Sequence, residues 1–154
     1  MGFFDKLKSA VSVVTGGAAT VTIEFQPSVA IPGKPLRVRV TATAKGAAIK
    51  GDGILVDVQG MEEIRVRKDD GPGLEDDLSI SRPTLEQTFT IAGAFSMGPG
   101  ESKTWEGTIQ LPANAQPTFD GSICDHGWGI RGRLSMFGND PDSGYVPMRV
   151  GLEA

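Results

Sequence analysis

Apolar and polar residues alternate along most of the chain beyond residue 20. In the first such stretch Val21, Ile23 and Phe25 alternate with threonine and glutamate, a period of two that is typical of a β-strand with one buried face. The same pattern predicts further strands, one through Trp128, Ile130, Leu134 and Met136, and the others over residues 36–44, 49–60, 63–68, 84–97, 103–111 and 145–152. Pro147 lacks an amide, so we expect the last strand to lie at an edge or a bulge.

The first residues of the chain follow a helical period instead. An apolar stripe recurs at helical spacing, and a pair of glycines closes it; its members are Phe3, Phe4, Leu7, Val11 and Val14. A helix of about three turns is not stable alone in water. We therefore expect this docking helix to be buried, in order of preference, against the chain's own sheet, in a partner's groove or at a membrane surface.

Glycine and proline separate these segments. The 154 residues contain 21 glycines and 10 prolines, a frequency of turns that favours strands over helices in a chain long enough for one domain. We predict an all-β fold, a two-sheet antiparallel immunoglobulin-like sandwich of about eight strands over residues 18–154, with residues 1–17 as the amphipathic helix and linker. The acidic stretch 69–81 is expected to be a long exposed loop.

Net charge and cysteine content restrict the partners and the cellular compartment that we expect for this protein. A net charge of −4 at pH 7 argues against binding nucleic acid, because that binding requires a positive field. The single cysteine excludes an intramolecular disulfide, and no run reaches the ~20 apolar residues of a membrane span. We expect a cytoplasmic protein, with membrane association possible only weakly, through Lys6 and Lys8 of the helix.

Cys124, Asp125 and His126 form the one cluster of residue types suited to nucleophilic or metal chemistry. In a strand, Cys124 and His126 would share a face about 6.6 Å apart, with Asp125 on the other face. A nucleophile also needs a base held by a third group and an oxyanion site, and a zinc site needs more ligands than one cysteine and one histidine. We expect structural roles here, no cofactor and no enzymatic activity.

The segment 139–143 offers oxygen atoms of the kind that calcium prefers, above all those of Asp140 and Asp142. The spacing of the acids does not match a calcium-binding loop, and the distant bidentate glutamate is missing. A plain turn also requires such residues, beside proline and glycine. A calcium-dependent or small-ligand module is therefore the alternative to a protein-binding one.

Three pairs of arginines occur at a spacing of two, on the polar side of three predicted strands: Arg37 and Arg39, Arg65 and Arg67, and Arg131 and Arg133. If two of these strands are neighbours, the guanidinium groups would form a positive stripe that could hold carboxylate or phosphate groups. Cross-strand pairing with Glu24, Glu86 or Glu106 would explain the same residues equally well. The arginines are candidates for binding a partner.

The segment 101–121, ESKTWEGTIQLPANAQPTFDG, places a strand that ends in Leu-Pro between a Pro-Gly turn and a crossing loop with a proline. Together with the start MGFFDKL and the turn Ile31-Pro32-Gly33-Lys34-Pro35, it resembles the arrestin N-terminal sandwich, and most nearly the bacterial arrestin-like proteins of the sporulation-control family. The resemblance implies an arrestin-like sandwich. Proteins of that family continue into a second sandwich, and arrestins read phosphorylated partners with basic residues of this domain.

These observations favour a cytoplasmic, non-enzymatic arrestin-like adaptor that binds other proteins, in bacterial stress or sporulation-type regulation. Edge strands of a lone sandwich also allow pairing with a second copy, so we expect a homodimer as one form of the protein.

Overall fold

The computed structural model of the protein describes residues 17–70 and 76–152. The predicted docking helix lies outside these residues. Within them the chain forms eleven strands and one short 3-10 helix, Lys68–Asp70. The strands are β1 (Ala19–Gln26), β2 (Val29–Ala30), β3 (Pro35–Ala44), β4 (Ile49–Gly51), β5 (Gly53–Val66), β6 (Leu78–Ala92), β7 (Phe95–Met97), β8 (Ser102–Gln110), β9 (Phe119–Asp120), β10 (Cys124–Ser135) and β11 (Val146–Val150).

The strands form two main sheets. The smaller has three antiparallel strands in the order β1-β3-β8. The larger has the order β2-β11-β10-β5-β6, with β9 added to β10. All of its pairings are antiparallel except that of β2 with β11. A separate two-stranded ribbon joins β4 and β7. The predicted all-β fold of several antiparallel sheets is confirmed.

The core lies between the inner faces of the two sheets. Val21, Ile23 and Val40 of the smaller sheet and Val56 and Ile130 of the larger are completely buried, as expected for alternate positions on two strand layers that face each other. Gly132 of β10 lies close to Val40 of the opposite sheet. A Cβ atom there would lie 3.0 Å from Val40 Cγ2, so any larger residue would push the valine side chain aside.

β5 and β6 are the longest strands, and their far ends extend past the core. Beyond Trp128 and Gly60, the inner face of the larger sheet carries Glu62 beside His126 and then Ile64 beside Ile80. We call residues 61–66 and 78–83 the arm. Val66 and Leu78 pair at its end. On β5 and β10 the inner positions are thus buried over the core, whereas Ile64, Leu78 and Ile80 of the arm are exposed.

Two sequence predictions require correction along the arm. Residues 78–81 were expected in an exposed loop, but they begin β6. The segments 49–60 and 63–68 were expected as separate strands, but residues 53–66 form one continuous strand. The alternation is interrupted at residues 61–63, where the inner position of β5 is occupied by Glu62, a charged residue beyond the core. Pro147 of β11 pairs with β10 on one side. On the other side of β11, the short β2 pairs only with the later residues Arg149 and Val150.

Candidate functional site

The three arginine pairs lie in three separate places. Arg37 and Arg39 are on the smaller sheet, whereas Arg131 and Arg133 on β10 and Arg65 on β5 belong to neighbouring strands of the larger sheet, and Arg67 follows the end of β5. Arg131 lies opposite Asp57 of β5, and Arg65 lies eight residues further along that strand, a separation of about 26 Å. The six guanidinium groups therefore do not form one positive stripe.

Arg131 and Arg133 converge on one carboxylate at the outer face of the larger sheet. Arg131 donates from Nε and Nη2 to Asp57 Oδ2, at 2.9 and 2.8 Å. Arg133 donates from Nε to Oδ2 and from Nη2 to Oδ1, at 3.0 and 3.1 Å, and Thr88 of β6 donates to Oδ1 at 2.7 Å. We call these four residues the Asp57 cluster, which links β5, β6 and β10.

Two further residues enclose the Asp57 cluster. Asp140, in the turn after β10, accepts a hydrogen bond from Arg133 Nη1 at 2.8 Å. The ring of Tyr145 lies 4.6 Å from the guanidinium carbon of Arg131, a distance that allows a cation–π contact. Beside them lies an open depression of about 290 Å³, which Glu86 and Gln87 also line. Its wall contains as many carboxylates as arginines.

The titration of the cluster follows from these contacts. Burial raises the pKa of Asp57, but the hydrogen bonds from Arg133, Thr88 and Arg131 outweigh it, so the pKa lies below its ordinary value. The hydrogen bond to Asp57 in turn holds the pKa of Arg133 above its ordinary value. Arg133 stays charged at neutral pH, and both arginines are bound to carboxylates of the chain itself. These arginines could bind an external anion only if that anion displaced Asp57.

The arginines on β3 have a similar environment. Arg39 donates to Glu106 Oε1 of β8 from Nε and Nη2, at 2.9 and 2.7 Å, and its Nη1 lies 3.9 Å from Glu24 of β1. Cross-strand pairing with Glu106 and Glu24 was one of the two explanations that the sequence left open. Arg37, two residues earlier, is exposed.

Arg65 and Arg67 lie at the arm, where the surface is different. Arg65 pairs with Asp125 of β10 and lies 3.6 Å from Glu63. Both arginines line an open pocket of about 450 Å³, together with Leu78 and the turn before β10. They are exposed, and they flank apolar side chains.

The inner face of the arm is an apolar surface that sequence reasoning missed. Ile64, Leu78 and Ile80 have exposed fractions of 38%, 50% and 60%, and Cys124 pairs with Ile64 in the same row. We call these four residues the arm face. The pairing of Ile64 with Ile80 depends on a register across two long strands. The sequence signal was the set of isolated isoleucines between charged residues.

Cys124, Asp125 and His126 alternate along β10 as expected, and Asp125 and His126 form hydrogen bonds with other groups of the chain. His126 is buried; its Nδ1 donates to the carbonyl of Pro117 at 3.0 Å, and its Nε2 accepts from the hydroxyl of Thr84 at 2.6 Å. A neutral imidazole satisfies both bonds. Burial, followed by the charges of Glu62 and Asp125, raises the pKa of the Cys124 thiol. A raised pKa disfavours the thiolate that a nucleophile requires.

The oxygens of the turn after β10 are largely bound to the protein itself. Asp140 Oδ1 accepts from the amide of Met136 at 3.0 Å, while Oδ2 accepts from Arg133. Asp142 Oδ1 accepts from the amide of Gly144 at 2.6 Å. Residues 17–70 and 76–152 contain no group of three or more metal-ligating side chains, and none of their helices is long and apolar enough to cross a membrane.

The arrangement of sheets is similar to that of a solved structure. This is the sporulation control protein Spo0M from Bacillus subtilis, with a TM-score of 0.63 and a sequence identity of 20% over 89% of this chain. The fold is arrestin-like. The arrestin-like chain covers 51% of Spo0M, about half of that protein's length. No family profile and no curated protein sequence matches the chain.

Proposed function

We propose that this chain is a non-enzymatic arrestin-like adaptor of the bacterial cytoplasm, and that it binds another protein through the arm face. The observation that carries the proposal is the exposure of Ile64, Leu78 and Ile80 on the sheet face whose positions on β5 and β10 are buried along the core. Contiguous exposed apolar groups with a charged rim are typical of protein-binding surfaces. The partner we propose presents apolar side chains to this face.

The rim supports the same interpretation. Glu62 and Arg82 pair at 2.9 Å beside the arm face, and Arg65 and Arg67 flank it. Charged residues at the edge of an apolar patch set the orientation and rate of association more than the affinity. Of the six candidate arginines, we propose that Arg65 and Arg67 contact the partner, because they line the pocket beside the arm face.

A regulatory role without catalysis agrees with the chemistry of the described residues. Burial raises the pKa of the Cys124 thiol, and both ring nitrogens of His126 are engaged in hydrogen bonds within the protein. The name of Spo0M as a sporulation control protein supports control of sporulation or a stress response as the setting. A single cysteine supports the cytoplasm as the compartment.

The proposal is tested by changing the arm face in the full chain. Ile80→Asp places a charge at the centre of this face, and Thr108→Asp, at an exposed position of β8, is the matched control. Each tagged variant is used to capture proteins from a bacterial lysate, with quantification by mass spectrometry. We expect one set of proteins to bind the wild type and the Thr108→Asp variant but not the Ile80→Asp variant.

Two outcomes contradict the proposal. Equal capture by all three proteins, with unchanged melting temperatures, would show that the arm face is not the binding surface. If light scattering instead shows a dimer that Ile80→Asp converts to a monomer, the arm face binds a second copy of this chain. Binding to a different protein would then lose its support.

A further inference from the structure

The strand β6 lies at the edge of the larger sheet. In the described residues 17–70 and 76–152, β5 is the only strand that pairs with it. Near its end β6 packs against the opposite sheet, where a Cβ atom on Gly107 of β8 would lie 2.8 Å from Ile91. Its first six residues, 78–83, extend past that contact and are all exposed. The arm therefore has an open backbone edge beside the arm face.

The hydrogen bonds of the arm show which residues of β6 face this edge. The amide of Arg65 on β5 donates to the carbonyl of Ile123 on the β10 side, at 2.6 Å, so it does not donate toward β6. Arg65 lies opposite Ser79, and opposite residues of an antiparallel pair either exchange both hydrogen bonds or neither. The N–H and C=O groups of Ser79 therefore point away from β5, and those of Ser81, two residues later, do so as well.

The edge at these two serines lacks the features that commonly prevent further pairing. Lysine, proline or a bulge protects many sheet edges, and residues 78–82, LSISR, contain no lysine, proline or register shift. Pro83 is the next residue of the same row and has no amide, and the register of β5 against β6 shifts beside it, so the open ladder ends there. Two donors and two acceptors thus remain available for one short strand.

We propose that the partner of the arm contributes an extended segment that pairs with residues 78–82 as one more antiparallel strand. This inference rests on the proposed function and specifies how the partner is recognised. Hydrogen bonds to Ser79 and Ser81 fix the register of the added strand. The partner residue between them lies opposite Ile80 in a non-hydrogen-bonded pair, where the Cα atoms are about 4.5 Å apart. Its side chain therefore packs on the arm face.

The side chains on either side of Ile80 define the sequence that fits. Leu78, which is also exposed, favours a second apolar residue opposite it. Arg82 donates from Nε to Glu62 at 2.9 Å and keeps 74% of its side chain exposed, so its terminal nitrogens can bind a carboxylate opposite it. From its N-terminus, the partner strand thus reads acidic, any residue, apolar, any residue, apolar. The ligand is an extended peptide of this acidic and apolar pattern.

A synthetic peptide tests this pattern on the unaltered full chain. The probe is Glu-Thr-Ile-Thr-Val with blocked termini, titrated into isotope-labelled protein and followed through the amide NMR shifts. We expect saturable shifts centred on Ser79 and Ser81. Two control peptides should bind at least about tenfold more weakly, because each loses hydrogen bonds or the contact with Arg82: the reversed sequence Val-Thr-Ile-Thr-Glu, and the probe N-methylated at both threonines. Equal affinity for the three peptides, or no shifts at the arm at millimolar peptide, overturns the proposal.

A substitution at one position separates the backbone from the side chain. Ser81→Pro removes an edge amide and leaves the arm face unchanged, whereas the matched control Ser81→Ala keeps that amide. Because this amide does not bond to β5, the melting temperature of Ser81→Pro should stay close to that of the wild type. We expect Ser81→Pro to bind the probe about tenfold more weakly and Ser81→Ala to bind it as the wild type does. Equal binding by the two variants contradicts strand addition.

The lysate capture distinguishes the failure of this inference from that of the proposed function. If Ile80→Asp loses the captured proteins and Ser81→Pro retains them, the arm face binds its partner without an added strand, and only this inference fails. If both variants retain them, the proposed function fails as well. A dimer in light scattering that Ser81→Pro separates into monomers would make a second copy of this chain the occupant of the edge, which also overturns the proposal.

Discussion

Replacing Asp57 by asparagine should destabilise the protein strongly, because this carboxylate holds two guanidinium groups. Asp57 accepts five hydrogen bonds, four of them from Arg131 and Arg133, and its side chain is 7% exposed. Removing one partner of a buried ion pair costs about 3–5 kcal/mol. Since the arginine side chains are 27% and 22% exposed, we expect a smaller loss, about 2–4 kcal/mol.

The measurement is urea unfolding at pH 7, followed by tryptophan fluorescence, with thermal melting as a second probe. The expected loss corresponds to about 4–16 °C in melting temperature for a chain of this size. Asp52→Asn is the matched control, because Asp52 is an exposed residue just before β5. Its effect should stay within about 0.5 kcal/mol.

The loss of stability in Asp57→Asn should depend on pH in a characteristic way. The pKa of Asp57 is lowered in the folded protein from an ordinary value of 3.8, so its contribution is complete above that value and is lost as the pH falls through the folded pKa. The gap between wild type and Asp57→Asn should therefore be constant from pH 7 to about 5 and narrow below about 4. A loss no larger than that of Asp52→Asn, or a gap that is unchanged in acid, would refute the reasoning.

Three further predictions concern other parts of the sandwich. Gly132→Ala should cost about 1–3 kcal/mol in urea unfolding, because its Cβ would press on Val40; a neutral effect would show that the sheets can separate. Cys124 should react with iodoacetamide more slowly at pH 8 than a free cysteine, since burial and Glu62 raise the pKa of its thiol; a faster reaction would contradict the raised pKa. Millimolar calcium should leave the melting temperature unchanged, because the turn after β10 already uses its carboxylates; a rise would establish the calcium-dependent alternative.

The sandwich could be predicted from the sequence because most strands bury one face. Val21, Ile23 and Phe25 alternate with polar residues, and the structure places all three in the core. The arm could not be predicted in the same way. Residues 63–66 follow the alternation and were predicted as a strand, but their isoleucine lies outside the core, and only the backbone pairing of β5 with β6 shows that the strand is continuous with residues 53–60.

The Asp57 cluster was missed for a different reason. The arginines were recognised as a pattern, but their partner lies 74 and 76 residues away in the chain, and only the register of β10 against β5 brings it opposite. Glu86, which was considered as a partner, accepts a hydrogen bond from Gln59 instead. An acidic residue between valines of a strand, as in ILVDV, was the signal that such a partner exists.

The length of β5 and β6 past the core has an energetic consequence for any complex formed there. Hydrogen bonds in the arm are supported by a single sheet layer, so opening the arm does not require the sandwich to unfold, and its opening free energy should be lower than that of the core. Suppose that a partner binds the arm only when β5 and β6 are paired there. It then stabilises the paired state over the open one, and amide hydrogen exchange in residues 61–66 and 78–83 slows by the same factor. Exchange rates in the arm would thus report occupancy of the surface while the rest of the molecule stays unchanged.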